Sequence, residues 1–329
     1  MIEGSRSSAV SGSPGGITAV AARARGLCTT VVSGDALAAI DHASGAVELA
    51  AALVRAGLAA PTGIGDPDTI DRLARDRVAS DLAILARRTD ALAVLALDED
   101  RRSLRAIVRG LAAGVSADRR LIGAVPTATL PASLLAALAG SPGVADLAAQ
   151  LARRHHPFAG ALAQARAPSA PIELLEIELA LARRFAGLPR PRDRALHTYV
   201  TQVIDVENTA SALLLAARGA DLELDRAFLP GGLRIDRDTF ATAAAGPLDA
   251  ARQRLADALV RTPLARALFA AAPAALEDAA LAWQLATQLM LRRTEPLGLA
   301  PAVYLVLRRR DEARRLRRAA WRVALGGAA

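Results

Sequence analysis

Apolar residues along this chain recur at steps of three and four, the period of a helix buried on one side. Val203, Val206, Ala210, Leu213 and Ala217 form one such stripe. Ile204 and Asn208 flank it four residues apart, so the amide sits at the stripe's edge, where burial is costly without a hydrogen bond. The passage IDVENTASALLLAARG (204–219) therefore reads as the end of a long helix, with Gly219 placed to stop it.

The same pattern occurs three times. LDEDRRSLRAIVRGLAAG ends at Gly114, and RRDEARRLRRAAWRVALG ends at Gly326. Counted back from each glycine, an acid falls at one offset: Asp100, Asp205 and Glu312. Three residues on stand Ser103, Asn208 and Arg315, followed by Leu104, Thr209 and Leu316. Earlier in each stretch two short apolar helices are separated by a break, at Ser44-Gly45, at 140–143 and at Gly246-Pro247. Leu49 and Leu53 correspond to Leu147 and Leu151. A longer helix follows in each stretch, and then the acid-x-x-polar helix closes it. A repeat of this kind has to be settled before the fold. It divides the chain into a serine- and glycine-rich tail (1–16) and three helical repeats at 17–116, 117–221 and 222–329, the first helix starting at Ile17.

Composition points the same way. Hydrophobic residues make up 53% of the chain but aromatics only 3%, so alanine and leucine must build the core. Both are strong helix formers, and alanine faces let helices approach closely. The expectation is an all-α protein. The 41 basic residues are all arginine, giving a net charge of +8. They are spread among 33 acids rather than gathered into an arm interleaved with aromatics, which argues against a nucleic-acid partner. The exception is the run from Arg308 to Arg318, which reads either as a solvated face or as a basic face for an acidic partner.

Residues 121–144 carry no charge over a length that could cross a bilayer, but Pro126, Pro131 and Pro142 break them. They read as a loop and then a helix with Pro131 in its first turn. The first sixteen residues lack the apolar core of a secretion signal.

Candidate chemistry is sparse. The single cysteine, Cys28, excludes an internal disulfide and reads as a small buried hydrophobe. His155 and His156 point about 100° apart on a helix and do not share a metal easily. His42 and His197 lack a ligand pattern, and neither 13–16 nor 63–66 has the spacing of a phosphate loop. Glu173, Glu176 and Glu178 crowd one turn, as a solvated face or as partners of Arg183 and Arg184. Asp205 and Asn208 read as ties from the closing helix to a neighbouring helix end. No catalytic, cofactor-binding or metal-binding residues emerge.

Several local texts resemble one family. Arg25-Gly26 lies in an opening helix of the x-R-x-R-G/A form. Tyr199-Val200 followed by Ile204-Asp205-Val206-x-Asn208 is similar to its central signature. Phe228-Leu229-Pro230-Gly231-Gly232 is similar to its F-Φ-P-G-G turn. Pro301-x-x-Tyr304 and Glu312-x-x-Arg315-Leu316 are similar to its final one. Together they resemble the AC39 family, the C-type subunits of V/A-type rotary ATPases and the homologous d-type subunits of the eukaryotic V-ATPase. Ser103 and Arg315 stand where the family has asparagine, Thr209 where it has leucine, and most of the family's tyrosines are missing.

The resemblance implies three similar helical domains in a pseudo-threefold, socket-like arrangement. It implies a rotor component without catalytic activity or cofactor, on the cytoplasmic face of the membrane. Its partners would be the proteolipid c-ring and central-shaft subunits of the D/F type, with membrane contact only through the complex. A central hollow lined by small residues is expected. The alternative is a helical-repeat scaffold or adaptor unrelated to rotary ATPases.

Overall fold

The computed structural model describes residues 14–58, 66–164, 174–219, 224–270, 272 and 274–326. Among these there is no strand, and the fold is all-α. The sequence features at 1–13, at 63–65 and at Glu173 lie outside the described residues.

The chain opens with α1 (Pro14–Cys28), which begins three residues before Ile17. Then come α2 (Gly34–His42), α3 (Ala46–Arg55) and α4 (Pro67–Ala86). A 3-10 turn (Asp90–Leu92) leads into α5 (Ala93–Ala112) and α6 (Ala117–Arg120). The middle of the chain holds α7 (Ala132–Ala139), α8 (Val144–Arg153), α9 (Ala159–Gln164), α10 (Leu174–Ala186) and α11 (Arg194–Arg218). After α12 (Leu224–Ala227) come α13 (Arg237–Ala245), α14 (Leu248–Ala258), α15 (Pro263–Ala267), α16 (Ala274–Thr294) and α17 (Ala300–Ala324).

Local chemistry sets these boundaries. Ser33, Asp66, Asp193 and Asp236 cap α2, α4, α11 and α13 by accepting from backbone N–H groups of the first turn. The three closing helices, α5, α11 and α17, each run into a glycine in the left-handed region: Gly114 (φ 67°), Gly219 (φ 59°) and Gly326 (φ 82°). The uncharged stretch 121–144 forms turns and then α7, with Pro131 just ahead of its first residue. No described helix is long and apolar enough to cross a membrane.

The closing helices pack mainly beyond the stretch they end. Helix α5 lies against α10, α6 and α7, and α11 lies against α13, α14 and α16. Helix α17 lies along α4 and against α1, α2 and α3, besides α16. A large apolar core runs from Val20 and Leu37 through Leu104, Phe158 and Tyr199 to Leu316. A second surrounds Phe240, Leu255 and Leu264 and takes in Ala212 and Leu215 of α11. Each fully buried leucine or phenylalanine contributes ~1.5–3 kcal/mol, and small alanines between them bring the helix backbones close.

Candidate functional site

The three acids at matching offsets are fully buried, and each is held by hydrogen bonds to a distant loop. Asp205 of α11 accepts from the backbone N–H groups of Leu233, Arg234 and Ile235, all at 3.1 Å. These N–H groups lie just ahead of α13. Burial raises the Asp205 carboxyl above its usual range, outweighing these N–H groups and the nearby Arg234 charge. Asp100 of α5 accepts from the hydroxyls of Thr127 and Thr129, and Thr127 Oγ1 in turn accepts from the Leu130 N–H just ahead of α7. His156 Nε2, also buried, lies 3.1 Å from Asp100. Glu312 of α17 accepts from the N–H of Val32, just ahead of α2, at 2.9 Å. Val32, Leu130 and Ile235 are therefore comparable positions, each buried two residues before a short helix begins.

The polar residue three positions on repeats the pattern twice. Asn208 takes both backbone groups of Leu229 at 2.9 Å, accepting from its N–H and donating to its carbonyl. Ser103 does the same with Val125, at 2.9 Å from its N–H and 3.4 Å to its carbonyl. Arg315 differs, reaching Asp41 in α2.

The remaining signature residues fall around these ties. Gly232 approaches Asp205 so closely that a Cβ there would lie 2.3 Å from Oδ1. Gly231 has φ 99°, and Arg190 donates to the Pro230 carbonyl beside it at 3.1 Å. A side chain at either glycine would close the turn that presents its N–H groups to Asp205. Pro301 and Leu316 are buried in α17, and Tyr304 is half-buried under Arg292, whose guanidinium lies 4.6 Å from the ring centre. Arg25 is exposed and donates to the Pro296 carbonyl. Gly26 has open space where a side chain would go.

A charged cavity of about 330 Å³ opens between α5, α11, α16 and α17. Arg101 donates to Asp98 at 2.8 and 3.0 Å and to Glu207 at 2.6 Å. Arg105 joins Glu207 (2.6 Å) to Glu178 (2.9 Å), and Arg109 also binds Glu178. Arg310 donates to Asp98 at 3.0 Å, to Glu99 and to the Tyr199 hydroxyl, and Tyr199 donates to Asp98. Burial alone would raise the carboxyls of Asp98 and Glu207. The surrounding guanidiniums outweigh it, holding Asp98 well below the usual carboxylate range and Glu207 at about 2. Burial, with the Asp98 charge and hydrogen bond, pushes the Tyr199 hydroxyl up, so it stays protonated and bridges the two charges.

Arginines and acids make up half of the cavity's lining, beside Ala106, Ala210, Ala280 and larger apolar side chains. Two sequence expectations are corrected here. Glu178 pairs with Arg105 and Arg109 of α5 rather than with Arg183 and Arg184. Apart from Arg308, the arginines of the 308–318 run are paired within the protein rather than forming a solvated or a free basic face. Arg309 is buried on Asp81 and Glu312, Arg310 is buried in the cavity wall, and Arg317 binds Asp71. The helical period turns 309, 310, 312, 313 and 316 inward together, which a run of identical letters conceals.

Sequence reasoning did not find the cluster of Asp98, Arg101, Arg105 and Glu207. Its one local signal was the opposite charges of Asp98 and Arg101 three apart on a helix. Among the described residues no group of three or more histidine, cysteine or carboxylate side chains could hold a metal ion.

A family model described as ATP synthase (C/AC39) subunit matches residues 62–328. No curated protein gives a match.

Proposed function

The chain belongs to the ATP synthase (C/AC39) subunit family of rotary ATPases, and we propose that it is the non-catalytic socket between the central shaft and the membrane proteolipid ring. On this reading it belongs to the central stalk on the cytoplasmic face. It transmits torque in proton or sodium transport or in ATP synthesis, in contact with shaft subunits of the D/F type and with the c-ring. Three repeats (17–116, 117–221 and 222–329) surround a pseudo-threefold axis, each lending its closing helix to the next.

The observation that carries this reading is the cyclic order of the buried acids. Asp100 ties α5 to the loop ahead of α7, Asp205 ties α11 to the loop ahead of α13, and Glu312 of the last closing helix returns to Val32 ahead of α2. A linear array would leave its last closing helix unattached. A chain whose end is tied into its beginning suits a part that must carry torque without opening. The charged cavity lies where α5, α11 and α17 come together, and its buried ion pairs hold the three helices at fixed spacing.

Ala210→Trp tests the reading, because it fills the cavity without removing a charge. The intact chain is expected to co-purify with its shaft subunits and with the detergent-extracted ring. The variant, folded by circular dichroism, is expected to lose the shaft while keeping the ring. Failure of the unaltered chain to bind either would reject the socket.

A further inference from the structure

A second arginine-lined hollow lies away from the ion-paired cavity. It is a recess of about 660 Å³ between the C-terminal ends of α1 and α16, the loop ahead of α2 and the first half of α17. Arg25, Arg292, Arg293 and Arg308 face it, and no acid lines it. None of the four forms an ion pair among the described residues, although Arg308 feels the charge of Asp311 one turn along α17. Arg308 donates only to the Val32 carbonyl at 3.2 Å, Arg25 to the Pro296 carbonyl, and Arg292 lies over the Tyr304 ring. The acids next to the wall are already engaged. Asp81, beside Cys28, binds Arg309, and Glu312 binds Arg309 and Arg77.

Four guanidiniums that line one recess without an ion pair of their own leave positive charge there that an anion can neutralise. The Ser33 hydroxyl suits an oxyanion too, whereas that of Thr29 already donates to the Gly26 carbonyl. Ser33 Oγ accepts from the Ala36 N–H, which leaves its own proton to donate outward. We propose that this recess binds a phosphate-bearing anion, either a soluble phosphate or the headgroup of a phospholipid. Guanidinium forks fit phosphate oxygens two at a time. Arg292 and Arg308 are half-buried, and each is already oriented by one contact, so little side-chain freedom is lost on binding. Arg25 and Arg293, which are exposed, close over the anion from the rim. The proposal is independent of the socket reading.

Cys28, the chain's single cysteine, lies in the recess wall and reports occupancy through its rate of alkylation. The full chain would be alkylated alone, with pyrophosphate, with citrate, and with phosphatidylcholine vesicles with or without phosphatidic acid. Protection by pyrophosphate supports a soluble phosphate ligand. Protection only by the phosphatidic acid vesicles supports a lipid headgroup. In either case the concentration needed should rise about tenfold or more in the Arg292→Gln/Arg308→Gln variant. Arg293→Gln removes no ion pair or hydrogen bond among the described residues, so a parallel rise there excludes a folding defect as the cause. Equal protection by citrate, no protection by any phosphate, or undiminished protection in both variants would overturn the proposal.

Discussion

The two hollows are built from the same residue type and differ in what the chain placed beside it. In the cavity between α5, α11, α16 and α17, Arg101, Arg105, Arg109, Arg310 and Arg314 each have a carboxylate within hydrogen-bonding distance. In the recess beside α1, Arg25, Arg292, Arg293 and Arg308 have none among the described residues. The first set is structural: its charges are satisfied inside the protein, and its partners lie on different helices, so it fixes how those helices meet. The second set makes few demands on the fold and leaves its charge for something outside. An arginine count cannot separate the two, but the carboxylates beside each set do.

The contrast is broken most forcefully at Arg310. It is buried, and it alone joins Asp98, Glu99 and Tyr199. Arg310→Met keeps similar bulk but removes the charge. Asp98 keeps Arg101, while Glu99 is left with Arg102 at 3.8 Å. Breaking a buried pair from one side costs ~3–5 kcal/mol, read as a lower denaturant midpoint at unchanged slope. A loss under ~1 kcal/mol would place the cluster with exposed ion pairs and erase the distinction between the hollows.

How much of this was legible in the sequence depends on the range of each interaction. The helices and the glycine stops at Gly114, Gly219 and Gly326 follow from neighbouring residues, and they were visible. So was the recurrence of Asp100, Asp205 and Glu312, although not what each acid binds. Their partners are backbone N–H groups and two threonine hydroxyls in loops, and nothing local in the sequence joins those loops to the acids they bind. The ion pairs were the least visible. Arg105 and Glu178 stand 73 positions apart, and Arg310 and Glu99 stand 211 apart, so nothing local joins them. The run from Arg308 to Arg318 misled for a related reason. Its residues scatter around a helix, and only packing decides that Arg309 and Arg310 point inward while Arg318 stays half-exposed.

The acids of the cavity sharpen the comparison through pH. Glu207 has an ordinary value of 4.5 and is held at about 2 in the folded chain. Since the folded value is the lower one, the folded state resists protonation more than the unfolded state does. The stability this contributes is present above pH about 4.5 and is lost as pH falls towards about 2. Asp98 shifts in the same direction. Asp205 shifts oppositely, raised by burial, and offsets part of the loss as it takes up its proton. Unfolding free energy measured in urea should therefore drop by a few kcal/mol across that window. Glu207→Gln should flatten the drop. An equally steep fall in the variant would assign the acid sensitivity to other carboxylates.

The smallest effect is expected in the recess. Arg293 is exposed at the end of α16 and makes neither an ion pair nor a hydrogen bond among the described residues. Replacing it by glutamine keeps the helix-forming stem and removes one of four like charges. Two opposing terms follow. The cation's favourable interaction with the C-terminal end of the helix is lost, at ~0.3–1 kcal/mol, and repulsion from Arg25, Arg292 and Arg308 is relieved. The net change in unfolding free energy should stay within about 0.5 kcal/mol of zero, and added salt should shrink it further by screening both terms. A loss of ~2 kcal/mol or more would show that Arg293 supports the fold as Arg310 does, and the two hollows would then differ in geometry but not in kind.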